Sequence, residues 1–190
     1  MTLPLVPGLV YHIYNRGNNG ENLFFEPRNY RYFLELYAKY VAPAAVTYAY
    51  CLLPNHFHLL VKIRVPVSGD GVSPSRAFAN LFSTYTKTIN KNYHRTGSLF
   101  EKPFRRKAVT DDRYFKTLVA YIHQNPRKHG LVADYRDWRH SSYHTILGTQ
   151  PTRLARDEVL GWFGDRADFV QYHEAIANFK GIADVIEDDA

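Results

Sequence analysis

A chain of 190 residues with a formal net charge of +6 is long enough for one substantial core and too short for two ordinary domains. With 45% hydrophobic and 22% charged residues it is neither disordered nor collagen-like, and the single cysteine, Cys51, excludes a disulfide scaffold or a four-cysteine zinc site. No stretch approaches the roughly 18 apolar residues of a membrane helix, and the apolar opening Met1–Gly8 carries Pro4 and Pro7 without a basic flank, so a cytoplasmic protein with no membrane partner is expected.

The first predicted element is a strand over residues 9–16, ending at Gly17, with Leu9, Tyr11 and Ile13 on one face and Val10, His12, Tyr14 and Arg16 on the other. Gly17–Gly20 reads as a loop. A helix from about Asn29 to Val41 sets Tyr30, Phe33, Leu34, Tyr37 and Val41 at helical spacing. Val46–Leu53 and His56–Val65 form strands joined by a Pro54–Asn55 turn, an antiparallel hairpin. After a Gly-, Pro- and Ser-rich loop, Ser73 is the expected N-cap and Pro74 the first residue of a helix carrying Phe78, Leu81, Phe82, Tyr85 and Ile89. Phe104–Val109 is a short, basic fourth strand. Thr110 or Asp111 then caps a helix that Pro126 is expected to stop at Asn125. Residues 131–190 add helical patterns near 157–163 and 167–179.

The order β-α-β-β-α-β plus a helix predicts an α+β protein with a ferredoxin-like, split β-α-β antiparallel sheet, the third strand central beside the first. Phe57, Leu59, Val61 and Ile63 share one wholly apolar face of that strand, which should pack against helices gathered on one side of the sheet. His56, His58, Leu60, Lys62 and Arg64 occupy the other face, read as exposed and bordered by His12 and Tyr14.

Two imidazoles two residues apart on a strand point the same way, close enough to share a cation. They are too few for a structural zinc site and suit an open catalytic position, and imidazole alone does not choose the metal. On the 111–125 helix, Tyr114, Leu118, Tyr121 and Asn125 recur at four-residue spacing, so the Tyr121 phenol and the Asn125 amide lie one turn apart. Gln124 could supply an amide less directly, while His123 points the opposite way. The plain alternative is amphipathic packing, with Tyr121 in the core and Asn125 as a helix cap. Lys87, Lys91, Arg95, Lys102, Arg105, Arg106 and Lys107 are opposed in their stretch only by Glu101; with Arg16 they are the candidate nucleic-acid-binding residues, and the chain's 15 tyrosines offer stacking surfaces.

Pro54-Asn-His-Phe-His-Leu-Leu-Val61 resembles the HUH motif (histidine, bulky hydrophobic, histidine), and Tyr121-Ile-His-Gln-Asn-Pro126 resembles the tyrosine motif of single-tyrosine HUH transposases. Tyr14-Asn-Arg-Gly-Asn18, Gly97-Ser-Leu-Phe-Glu-Lys-Pro-Phe-Arg105, Asn125–Gly130 and Trp138–Tyr143 agree in order with the IS200-like superfamily, most closely its REP-associated tyrosine transposases. The resemblance implies a transposase-like domain over residues 1–148 with a helical C-terminal extension, 149–190, of the same domain. It implies a metal-dependent single-stranded DNA endonuclease and strand transferase, with Tyr121 as nucleophile and His56, His58 and Asn125 holding a divalent metal ion (Mg2+ or Mn2+). The helix after the fourth strand would then be catalytic. Asn125 stands where insertion-sequence relatives have a glutamine. The implied partner is single-stranded DNA with a REP-like palindromic hairpin, cleaved through a 5′-phosphotyrosine, and either a homodimer or a monomer would serve. Two other readings are a non-catalytic nucleic-acid-binding module of ferredoxin-like fold, which lacks the RNP pattern here, and a replication initiator or relaxase, which arranges its histidines and tyrosines differently.

Overall fold

The computed structural model describes residues 4–66, 72–109 and 111–177. The expected cap Thr110, part of the Gly-, Pro- and Ser-rich loop, the end of the last helical pattern and the acidic residues Asp184 and Glu187–Asp189 lie outside them.

Four strands, β1 (Val10–Arg16), β2 (Ala45–Leu52), β3 (His56–Ile63) and β4 (Arg105–Val109), form one antiparallel sheet in the order β2-β3-β1-β4. The register sets Tyr14 opposite His58 and Arg16 opposite His56 on one side of β1, and Tyr14 opposite Arg105 and His12 opposite Lys107 on the other. Among the described residues six α-helices accompany it: α1 (Pro27–Tyr40), α2 (Pro74–Asn92), α3 (Asp112–Lys128), α4 (Tyr143–Leu147), α5 (Arg156–Phe163) and α6 (Arg166–Ala177).

The helix ends carry three differences from expectation. α1 starts at Pro27, ahead of Asn29, because the Asn29 side-chain oxygen accepts the backbone N–H groups of Phe25 (2.9 Å) and Glu26 (3.1 Å) and so satisfies donors a helix start leaves open. Ser73 does stand before Pro74, but its side chain makes no capping bond. α3 runs through Pro126 to Lys128 rather than stopping at Asn125. The proline sits in the last turn, where it removes a single intrahelical donor, and the next bond, His129 N–H to the Asn125 carbonyl (2.9 Å), still forms.

Helices cover both faces of the sheet, and the expectation of helices on one face is corrected. On the first face Ile13, Phe57, Leu59, Val61 and Ile63 pack against Phe33 of α1 and Phe78, Leu81 and Tyr85 of α2. On the second, Tyr48, Ala49, Cys51 and Leu60 pack against Phe115, Leu118, Val119 and Ile122 of α3, with Ile146, Val159 and Phe169 of the C-terminal helices behind them. The physical reason is in β2 and β3 themselves. Both strands are apolar on two faces, and the second face must be buried as well. α3 lies along it, so the histidine face is covered at Leu60 and is partly exposed at His56 and at Lys62.

Candidate active site

The His-Phe-His strand begins at a turn held from outside: the Pro54 carbonyl accepts the N–H groups of Leu23 (2.7 Å) and Phe24 (2.9 Å), and the Asn55 carbonyl accepts that of Gly17 (2.8 Å). Where β1, β3 and the C-terminal end of α3 meet, a cavity of about 310 Å³ is lined by His12, Tyr14, His56, His58 and Tyr121, with Arg16, Glu101, Arg105, Lys128 and His129 at its rim.

The rings of His12, Tyr14 and His58 lie nearly parallel, at centroid separations of 4.7 to 5.9 Å. The half-buried ring of Tyr121 meets two of them edge-on, 5.7 Å from His58 and 6.5 Å from His12. His56 stands at right angles to His58, 5.3 Å away, and 4.6 Å from His129. The phenol and both histidines of the motif therefore converge within one chain.

Hydrogen bonds orient the imidazoles. His56 Nδ1 donates to the Asn55 side-chain oxygen (2.7 Å), which leaves its Nε2 with a lone pair. His12 Nε2 and His58 Nδ1 are 2.9 Å apart; with His58 donating, His58 also presents a bare Nε2, and in either tautomer His12 is the outer partner that orients the His58 ring. Burial keeps these rings neutral. It lowers the His12 pKa to about 3, with Lys107 adding to the effect. It lowers that of His56 to about 4, with His129 and Arg16 adding. His58 falls well below its ordinary value, by burial first and then by its imidazole and Lys128 neighbours. Lys128, its own pKa lowered by burial, holds its ammonium 5.2 Å from the centre of the Tyr121 ring.

Asn125 is wholly buried, its amide donating to the Tyr121 carbonyl (2.9 Å), while its Oδ1 is a buried acceptor with no donor. It does not line the cavity. Gln124 is committed elsewhere, donating to the His173 carbonyl on α6 (2.8 Å).

The candidate cationic residues divide. Arg16 and Arg105 reach the cavity rim and both pair with Glu101, Arg16 at 2.5 Å and Arg105 at 4.0 Å. Lys107 shares their face, opposite His12, with its ammonium over Tyr114. Lys102 is exposed next to Glu101. Arg106 projects to the other face and packs on Phe104 at 4.4 Å. Lys87 and Lys91 are exposed on α2, behind the sheet, and Arg95 is spent on Glu21 and Asn90. Lys128 and His129 join the site beyond the sequence reading, signalled only by the Arg127-Lys-His-Gly130 tail, whereas strand alternation already set His12 beside the histidines without its orienting role.

No protein-family model matches the chain. A Haemophilus influenzae protein provisionally named a REP-associated tyrosine transposase is 30% identical over 107 residues, 52% of this chain and 58% of that protein. The Escherichia coli REP-associated tyrosine transposase is 28% identical over 126 residues, 64% of each. The chain is similar to the REP-associated tyrosine transposases over these stretches. It matches less than two thirds of the length of either curated relative. A solved REP-associated tyrosine transposase bound to a REP hairpin shares the fold, with a TM-score of 0.62 at 19% identity over 77% of this chain and 84% of that one.

The chain brings two neutral imidazoles, His56 and His58, to the cavity, while the partnerless Asn125 oxygen is buried outside its lining. Among the described residues no three His, Cys, Asp or Glu side chains form a metal-holding group. The donor set fits a cation held at two imidazoles with its other positions left to oxygen donors, and it does not fit a closed structural site. No helix among the described residues is long and apolar enough to cross a membrane.

Proposed function

We propose that this chain is a metal-dependent nicking and joining enzyme for single-stranded DNA, cleaving at hairpin-bearing, REP-like sequences through a 5′-phosphotyrosine on Tyr121. The observation that carries the reading is the edge-on approach of the Tyr121 ring to His58, 5.7 Å between centroids, at the mouth of a cationic cavity in one chain. The reading takes residues 1–148 as the catalytic domain, on a ferredoxin-like split β-α-β plan with α3 as catalytic helix, and residues 149–190 as its extension. A single copy suffices for it, and cellular DNA as substrate fits a cytoplasmic protein.

A phosphodiester resists nucleophiles because its anionic oxygens repel them. A divalent cation, Mg2+ or Mn2+, held by His56 and His58 with Asn125 as candidate third donor, would supply positive charge beside a phosphate oxygen. Tyr121 supplies the nucleophile. The Lys128 ammonium over its ring favours the phenolate. As Tyr121 Oη bonds to phosphorus, the 3′-oxygen leaves and takes up a proton, giving a 5′-phosphotyrosine and a free 3′-OH. A second 3′-OH can reverse the step and join strands, because the ester bond is kept throughout. Arg16 and Arg105 at the rim suit the flanking phosphates. Lys102 and Lys107 extend that surface, while Lys87, Lys91, Arg95 and Arg106 lie on other contacts or faces.

The test incubates the full chain with a labelled hairpin-bearing single-stranded oligonucleotide and Mg2+ or Mn2+, then resolves products on a denaturing gel. A covalent protein–DNA band is expected, lost in Tyr121→Phe and with chelator. A band persisting in Tyr121→Phe would move the nucleophile to another residue. Tight binding with no band on any hairpin would favour the non-catalytic module.

A further inference from the structure

On the α1 side of the sheet, where the β2 edge meets that helix, lies a second cavity of about 550 Å³. Its apolar lining is Leu34 and Tyr50, and one wall is the Tyr30 ring with the His140 imidazole stacked flat on it, 3.6 Å between centroids and 6° between planes. That wall is fixed by the backbone. Residues 140–142 add to the β2 edge through Leu52 N–H to the His140 carbonyl (3.0 Å) and Ser142 N–H to the Tyr50 carbonyl (2.9 Å), and the Trp138 indole donates to the Leu52 carbonyl (2.9 Å).

Around the mouth stand Arg28, Arg31, Arg139 and Arg153, against one lining carboxylate, Glu35. Arg28 pairs with Glu26 at 2.8 Å and Arg31 approaches Glu35 at 3.8 Å. Arg139 and Arg153 are exposed and have neither ion pair nor hydrogen bond to any described residue. Unpaired guanidiniums beside a low-dielectric aromatic wall attract anions, and their planar fork matches a phosphate in two-point contact. The aromatic wall supplies surface for a base or sugar, and the volume is in the range of small-ligand sites. We infer that this cavity binds the phosphate of a nucleotide, free or within a nucleic-acid strand, with Arg139 and Arg153 as the anion-holding pair. It shares no residue with the Tyr121 cleft and does not rest on the cleavage reading.

The test titrates the full chain with dAMP, with adenosine and with a fluorescein-labelled oligothymidylate, following tryptophan fluorescence for the first two, since Trp138 meets His140 edge-on at 5.7 Å, and anisotropy at several salt concentrations for the third. Arg139→Glu/Arg153→Glu should weaken binding of dAMP, the oligonucleotide or both at least tenfold. The oligonucleotide's salt dependence should become shallower by about one unit of log K per log salt, near the slope of one or two single-strand phosphate contacts. Arg139→Gln/Arg153→Gln should show a smaller loss in the same direction, and Lys87→Glu/Lys91→Glu, with the same change in net charge, none for dAMP. A dAMP response identifies a free nucleotide as ligand, and a response confined to the oligonucleotide identifies a strand. Wild-type affinities in both arginine variants, adenosine binding as well as dAMP, or an equal loss in the lysine control would overturn the site. Adduct formation alongside unchanged arginine variants would sink this site alone. No adduct alongside lost affinity would sink the cleavage reading alone.

Discussion

Behind α3, two buried histidines form a directed chain whose consequence is a steep loss of stability in acid. His173 Nδ1 donates to the Phe169 carbonyl (2.7 Å), which leaves its Nε2 to accept from His123 Nδ1 (2.8 Å). His123 Nε2 then accepts from the Ser142 hydroxyl (2.8 Å), whose oxygen accepts the Tyr50 N–H (2.9 Å). Every donor meets an acceptor while both rings are neutral. A proton added to His173 would set two N–H groups against each other in a site with no water-facing surface. Burial accordingly lowers the His173 pKa from 6.5 to about 4, and drives that of His123 well below its ordinary value, with His173 adding. Between these limits the unfolded chain binds the proton and the folded chain does not, so stability is flat above pH 6.5 and falls as the pH drops toward 4. At 1.36 kcal/mol per unit, His173 alone accounts for about 3 kcal/mol over the full interval, and about 2 kcal/mol of that is lost by pH 4.5. Urea unfolding at pH 7 and at pH 4.5, on the wild type and on His173→Gln, reads the effect of His173 together with its coupling to His123, because the buried imidazoles away from this pair contribute equally to both. The variant should lose about 2 kcal/mol less than the wild type on acidification. Equal losses would refute the idea that this ring is held neutral by its position between α3 and α6.

Three further outcomes are expected. His12→Ala should keep its fold by circular dichroism and weaken Mn2+ binding by about 10- to 100-fold, because the partner that orients His58 is gone; paramagnetic broadening or calorimetry reads this without any cleavage assay. Arg16→Ala and Arg105→Ala should each lower the salt dependence of oligonucleotide affinity by roughly one phosphate contact, while Lys87→Ala and Lys91→Ala, on the far side of the sheet, should leave it unchanged in anisotropy titrations. Phe169→Ala, emptying a fully buried position beneath α3, should cost about 3–5 kcal/mol in urea unfolding and loosen the helix that carries Tyr121.

Much of the architecture is legible in local pattern. Alternation along His56–Ile63 assigns Phe57, Leu59, Val61 and Ile63 to one face, and they do pack together against α1 and α2. Helical spacing finds the Phe78–Ile89 stripe, and the Pro54–Asn55 turn marks the hairpin. The expectation that the second face lies open failed for a readable reason. Leu60 sits among the histidines, and Val46–Leu53 is apolar on both sides, so an exposed face would have left Tyr48, Ala49, Cys51 and Leu60 in water. The extent of α3 was misjudged because a proline in a last turn removes one bond and no more. Its last residue, Lys128, and His129 just beyond it thereby come to the mouth of the cavity.

The order of residues alone determined that two imidazoles share a strand face and that a phenol and an amide stand one helical turn apart, because each follows from a periodicity of two or of 3.6, and local composition alone put the cations on the fourth strand. Whether strand and helix meet is decided by packing between segments far apart in the chain. Phe115, Val119 and Ile122 bury themselves against β2 and the C-terminal helices, and that non-local contact brings Tyr121 over His58 and leaves Arg95 and Arg106 on other contacts. Periodicity says which face of an element seeks cover. Only the assembled core says what covers it.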